Sequence, residues 1–412
     1  MRALLIRVLR LAPNELPALA WAFAYFFLLL CAYYLLRPVR DSLAVGLGTQ
    51  PLQWLFTATF FTMLALVPVF GWLCSRYPRG KVLPAVYAFF AANLVLFSFH
   101  ADPYVFFVWL SVFNLFVVSV FWSFMSDLFD SAQAARLYGT IAAGGSCGAI
   151  AGPLVAASIP QTTFLLLAAA ALLGAAIVCV VMLNRWAAAH PRAGEPPAQA
   201  PIGGSVLEGA RAAFTSPYLL AICGYLLCYT ALSTALYFQQ VTIVRDAVPD
   251  PAERTRLFAS VDFTVNGLTL AVQLLAFSRL APFLGPAGML AVVPLISLAG
   301  FLWLGAAPTL AALIAFGITR RVGEFAVSKP AREALFTIVP REQRYKAKNF
   351  IDTVVYRGGD MLAGWIFAGV SAFLAAAVSI GWTALAVYLG ARMKAWNRDD
   401  ARSSPQSLPQ QR

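Results

Sequence analysis

Arg37, Arg40 and Asp41 stand in "AYYLLRPVRDSLAVG", an apolar stretch where an ionised group is out of place. At the centre of a membrane helix such a residue costs about 2.5–3.5 kcal/mol on insertion scales. It therefore faces a water-filled cavity or a partner of opposite charge. Spacings of three and four put the three on one helix face. There Asp41 can pair with Arg37, leaving Arg40 to meet a solute. The bland alternative is that all three snorkel to an interface.

The same pattern recurs further along. Asp262 and Asn266 are one turn apart in "LFASVDFTVNGL", and Asp262 has no local cation, which points to a cross-helix salt bridge, a proton site or a ligand contact. "FGITRRVGEFAV" carries Arg320, Arg321 and Glu324, with Glu324 in reach of either arginine. Adjacent arginines cannot face the same way, so one lines a cavity and the other packs near the inner surface. Arg357 and Asp360 share a face three residues apart, downstream of Asp352. These in-membrane charges balance, Arg37, Arg40, Arg320, Arg321 and Arg357 against Asp41, Asp262, Glu324, Asp352 and Asp360. An anion site then requires a local excess, which Arg40 and one arginine of the pair at 320 and 321 can supply.

These residues must be positioned by membrane helices. The chain is 60% hydrophobic and only 12% charged, with a mean hydropathy of +0.75. A soluble domain carries about 25% charged residues, so lipid is the solvent here. The net charge of +12 sits in short clusters between apolar runs, which excludes a nucleic-acid surface. The six cysteines lie inside apolar runs without metal-ligand spacing, and neither a metal nor a cofactor is expected. No phosphate-binding loop, metalloprotease motif or nucleophile elbow occurs, so the chain does not read as an enzyme.

Runs long enough to cross a bilayer fall at 17–43, 53–74, 82–100, 104–126, 137–158 and 163–184, then at 217–240, 257–278, 287–305, 308–328, 349–371 and 373–393. The expected fold is all-α, twelve transmembrane helices in two pseudo-symmetric six-helix bundles, 1–184 and 217–395. A Pro, Ala and Gly-rich linker at 185–216 separates them, and a disordered tail follows at 396–412. Residues 1–12 read as an amphipathic interfacial helix rather than a cleaved leader. Lys and Arg cluster on the side of both termini, whereas Arg245, Arg254 and Arg256 fall on the other. By the positive-inside rule both termini are cytoplasmic, in a bacterial-type inner membrane.

Two six-helix halves on a long inner linker resemble the major facilitator superfamily, whose parallel repeats rock around a central site. The loop "GWLCSRYPRGK" resembles that superfamily's glycine–acidic–basic loop through Gly71, Arg76, Arg79 and Lys81, with Ser75 where an acidic residue is usual. The fifth helix of each half carries paired glycines, "AAGGSCGAIAGP" and "VVYRGGDMLAG", a positional echo that favours duplication. "SFMSDLFDSAQAARLYGT" places Asp127, Asp130, Gln133 and Arg136 at the inner end of the first half. "KPAREALFTIVPREQRYKAKNFID" occupies the matching place in the second, with Arg332, Glu333, Lys348 and Asp352. Ion pairs across these ends, with Arg76, Arg79 and Lys81, would form an inner gate that breaks on opening. The plain alternative is a set of solvated loops.

Through "LRPVRDSL" and "KPAREALFTIVPREQRYKAKNFIDTVVYRGG" the chain resembles the ATP:ADP antiporter family, of which it would be a divergent member. The resemblance implies nucleotide exchange, with basic residues such as Arg40 and Arg357 on the phosphates. Asp360 stands where the family pattern has a lysine, which implies a solute less anionic than a polyphosphate. The leading expectation is a monomeric secondary transporter exchanging a nucleotide or another phosphorylated or anionic solute. Alternatives are proton-coupled transport of another organic solute, with Asp262 or Asp360 carrying the proton, and a non-transporting membrane scaffold or sensor.

Overall fold

A computed structural model of the chain describes residues 15–76, 79–190, 211, 214–339, 347–348 and 350–403. The interfacial helix expected at 1–12 and most of the linker lie outside these. The helices are α1 (Leu16–Leu47), α2 (Leu52–Arg76), α3 (Arg79–Phe99), α4 (Pro103–Leu128), α5 (Ser131–Ser158), α6 (Thr162–Ala189), α7 (Pro217–Ala247), α8 (Pro251–Leu275) and α9 (Phe277–Ala306). α10 starts as Leu310–Gly323, passes through a π-helical turn at Glu324–Ser328 and continues as Lys329–Leu335. α11 begins with a second π-helical turn, Ile351–Val355, and runs on as Tyr356–Ile366. α12 spans Ala372–Ser403, past the boundary at 395 that hydropathy suggests. Each of the twelve apolar runs is a helix, as the composition demands. Among the described residues, nine helices are long and apolar enough to cross a membrane alone.

Helix ends differ from the apolar limits where capping chemistry intervenes. α8 starts at Pro251 rather than at 257 because the Asp250 carboxylate accepts the Glu253 N–H at 2.8 Å, which stabilises a polar first turn. α4 is capped likewise by Asp102, which accepts from the N–H groups of Tyr104 and Val105 at 3.0 Å.

The chain divides into two compact units, Met1–Pro201 with Gln240–Gly267, and Ile202–Gln239 with Leu268–Arg412. In the first unit α1 is the central strut, with Tyr25, Leu29 and Leu36 wholly buried. Its aromatic face meets α4, where Phe26 stacks on Phe121 with centroids 4.2 Å apart. A hydrogen bond joins the buried hydroxyls of Tyr25 and Tyr87 and satisfies both in an otherwise apolar core. The opposite face of α1 lies against glycines of α5. A Cβ on Gly144, Gly148 or Gly152 would fall 2.5, 2.3 or 2.7 Å from the carbonyl oxygens of Phe23, Phe27 and Cys31. Without side chains between them the two backbones touch. Gly148→Leu is therefore expected to destabilise the protein by about 1–3 kcal/mol or more through overpacking. The check is a thermal melt of purified protein beside Gly174→Leu, where nothing lies within 4 Å.

The tip of the α7–α8 hairpin belongs to the first unit. Ser42 Oγ donates to Pro251 O at 2.9 Å, Arg256 Nε to Ala157 O at 3.2 Å and Asn266 Nδ2 to Ala149 O at 2.7 Å. In the second unit Tyr225 donates its hydroxyl to Leu290 O at 2.9 Å and packs on the buried Trp382. A Cβ on Gly359 of α11 would lie 2.3 Å from Thr230 Oγ1 of α7. The fifth helix of the second half thus meets the first helix of that half through glycine, as α5 meets α1. α9 is kinked at Gly285, whose φ of +61° between Pro282 and Pro286 suits only glycine.

Candidate functional site

In the first unit the charges on α1 pair differently from the expectation. Arg37 does not take Asp41. Its Nη1 lies 3.2 Å from Oδ1 of Asp262 on α8, while Arg40 folds back on Asp41 with Nη2 at 2.7 Å and Nε at 3.0 Å. The reason is desolvation. Asp262, with a side chain only 3% exposed, needs a cation more than Asp41 does, and Arg37 reaches it. Arg40 also lies over the Phe107 ring, 5.2 Å from its centroid. Asn266, one turn from Asp262, is bonded to the α5 carbonyl described above.

The second unit holds a denser cluster. Arg320 is 4% exposed and reaches three neutral acceptors: Ser297 Oγ from Nε at 3.1 Å, then Ser233 Oγ at 2.8 Å and Tyr229 O at 3.3 Å from Nη2. Its guanidinium also lies 5.2 Å from the centroid of the Tyr229 ring. Among the described residues no carboxylate lies within salt-bridge distance of it. Glu324, expected on Arg320 or Arg321, instead accepts from Arg332 Nη1 at 2.8 Å. The π-helical turn between them shifts the helix register and brings Arg332 round to the face of Glu324. Arg332, expected at an inner gate, is thereby drawn into the buried cluster and sits 5.7 Å from the same Tyr229 ring. The other oxygen of Glu324 is buried with no hydrogen-bond partner among the described residues. Arg321 is half-buried beside this cluster in sequence. On α11, Arg357 and Asp360 pair at 3.6 Å, and Arg357 lies over Tyr356, whose ring is 6.0 Å from that of Tyr229.

The candidate gating residues divide. Glu15, not singled out by its sequence setting, is 3% exposed and takes Arg136 at 3.0 and 3.1 Å and Gln133 Nε2 at 3.0 Å. Asp130 caps α5 by accepting the Gln133 N–H at 2.7 Å. The Arg136 contact therefore ties α5 to the foot of α1 inside one bundle. Glu333 is paired with Lys348. Asp127 and Arg76 are exposed near the ends of α4 and α2. The side chains of Arg79, Lys81 and Asp352 lie outside the described residues.

Sequence reasoning missed Tyr229, Ser233, Ser297 and Tyr356. Tyr229 and Ser233 are one turn apart on α7, a polar pair inside an apolar run, and that spacing was the available signal. A cavity of about 1040 Å³ opens among α2, α3 and α4, lined by Trp54, Val86, Phe89, Trp109 and Phe116, but none of the charged candidates borders it. So apolar a hollow cannot select a charged solute. Among the described residues no group of three His, Cys, Asp or Glu side chains is arranged to hold a metal.

Residues 21–319 match the family model described as Major Facilitator Superfamily. The chain belongs to that superfamily. No curated protein matches it in sequence. Its fold is similar to that of the nucleoside transporter NupG (12% identity, TM-score 0.63, covering 94% of this chain and 100% of that one). It is similar also to a bacterial homologue of the human lysosomal transporter Spinster in an inward-facing, unoccupied conformation (14%, 0.60, 94% and 99%). The human organic anion transporter MFSD10 is a third such structure (14%, 0.59, 93% and 100%). At these identities the likeness speaks for the fold. As a superfamily member the protein is a multi-pass membrane transporter rather than an enzyme, and its ligand is a small solute.

Proposed function

We propose that this transporter exchanges a small anionic solute, phosphorylated or nucleotide-like, by alternating access. The observation that carries the reading is Arg320. Among the described residues this buried guanidinium is bonded by hydroxyls and a carbonyl, lies under a π face and has no ion-pair partner of its own, because Arg332 takes Glu324 and Arg357 takes Asp360. Burying such a charge is unfavourable, and an anion held nearby would offset that. One net cation in the cluster favours a solute of low charge over a polyphosphate, in keeping with Asp360 at the place where the ATP:ADP antiporter pattern has lysine. The buried second oxygen of Glu324 would accept a hydrogen bond from a hydroxyl on the same solute.

The Arg37–Asp262 pair and the hydrogen bonds of the α7–α8 hairpin would serve as a latch that parts when its side opens, with Glu333–Lys348 acting similarly at the other. Lys and Arg placement supports an inner-membrane protein with both termini cytoplasmic. The test is a melt of purified protein against nucleotides, sugar phosphates, carboxylates and amino acids, followed by exchange in proteoliposomes. A true solute at 100 times its Kd should stabilise the fold by about 2.7 kcal/mol through mass action. Stabilisation by amino acids or uncharged solutes alone would overturn the reading. The 3.6 Å separation of Arg357 and Asp360 also supports a second reading, proton-coupled transport with Asp360 as the carrier. Uncouplers would stop that activity and leave exchange untouched.

A further inference from the structure

The π-helical turn in α10 has an identifiable cause. In an α-helical register the carbonyl of Phe325 would receive the N–H of Lys329, and that of Ala326 the N–H of residue 330. Residue 330 is a proline, which has no N–H and whose ring crowds the carbonyl four residues back. The helix instead passes the Lys329 N–H one residue further, to Glu324 O. Phe325 O is then left without a donor from its own helix. Lys329 is spent on Glu324, and Pro330 has nothing to give.

A carbonyl in a membrane has no water to turn to. Gln273 on α8 supplies the missing donor, its Nε2 lying 3.2 Å from Phe325 O. Because a carbonyl only accepts, the amide must present its nitrogen there. The same turn decides which side chains meet. Residues eight apart on an α-helix are offset by about 80° around the axis, but by only about 20° once the helix has absorbed one extra residue. Glu324 and Arg332 are eight apart, and their 2.8 Å ion pair depends on that alignment.

We infer that Gln273 is a positioning residue: its side-chain amide caps the carbonyl that Pro330 strands, and so holds α10 in the π-helical register that aligns Glu324 with Arg332 beside Tyr229. This holds whichever solute is carried.

The test is a double-mutant cycle on the purified full-length protein. Gln273→Leu should lower the melting midpoint by about 2–4 °C, the loss of one side-chain hydrogen bond to the backbone. It should also speed hydrogen exchange at the Ser328 and Lys329 amides. Pro330→Ala restores the missing N–H and lets α10 close its ladder as a plain α-helix, so in that background Gln273→Leu should leave the midpoint unchanged. In that background too, the energetic coupling between Glu324→Gln and Arg332→Met should vanish. An equal loss in both backgrounds, or none in either, would overturn the inference. Should Pro330→Ala fail to fold, Pro330→Ser offers the same N–H, and the exchange measurement on Gln273→Leu alone must still single out the two amides.

Discussion

Asp262→Ala is expected to destabilise the protein by about 3–5 kcal/mol, the range for leaving one member of a buried ion pair without its partner. Asp262 has a side chain 3% exposed, and Arg37, at 19%, has little water to fall back on once the carboxylate is gone. The pair holds α1 against α8 within the first unit, so loss of the charge should loosen the hairpin tip as well as lower the melting midpoint. Replacing both partners tells a different story. Arg37→Met with Asp262→Leu removes two desolvated charges together, and such swaps are often neutral or stabilising by about 1–4 kcal/mol. The double variant should therefore melt at or above the parent. If it melts as low as Asp262→Ala, the two side chains are not one energetic unit. A transport assay on the double variant adds a functional reading, since a latch that no longer needs to separate charges should open more readily.

Arg320→Gln carries the second large effect, and it runs the opposite way. Arg320 has no carboxylate within salt-bridge distance among the described residues, so the substitution strands no anion. Glutamine can still bond Ser233 or Ser297. Stability should hold or rise. Solute affinity should fall by roughly 10- to 150-fold, the loss of one charge-assisted hydrogen bond worth about 1.5–3 kcal/mol. Arg320→Lys keeps the charge but loses the planar fork that serves two hydroxyls and a carbonyl at once, and should lie between the two. Binding isotherms and melts on the same preparations check both halves. A stable Arg320→Gln protein with unchanged affinity would remove Arg320 from the solute site.

Much of this protein can be read from its letters because lipid simplifies the problem. Every backbone group must be satisfied within a helix, so apolar length alone locates the twelve elements. Gly148 and Gly359 were visible as small residues in matching helices, and both lie at close contacts, Gly148 with the backbone of α1 and Gly359 with side chains of α7. The pairing of charges was not visible, because a helix presents its neighbours three and four away while Asp262 is more than two hundred positions from Arg37. Glu324 shows a second limit. Its partner at position 332 lies off its face on any regular helix, and only the interruption by Pro330 brings it into line. Proline in "SKPARE" was readable as a break in the ladder, but the direction in which the helix would yield depended on an amide from α8.

The contact of α1 with α5 sets what can move. Helices separated by side chains can shift by repacking rotamers, but these two have bare main chain at the seam. A slide of four residues, about 6 Å, would bring Thr140 to the slot of Gly144 against the Phe23 carbonyl, or Ala156 to that of Gly152 against Cys31. Neither Cβ fits a gap of that width. α1 and α5 must therefore travel as a single body through any transport cycle, and the joints that flex have to be sought elsewhere in the chain.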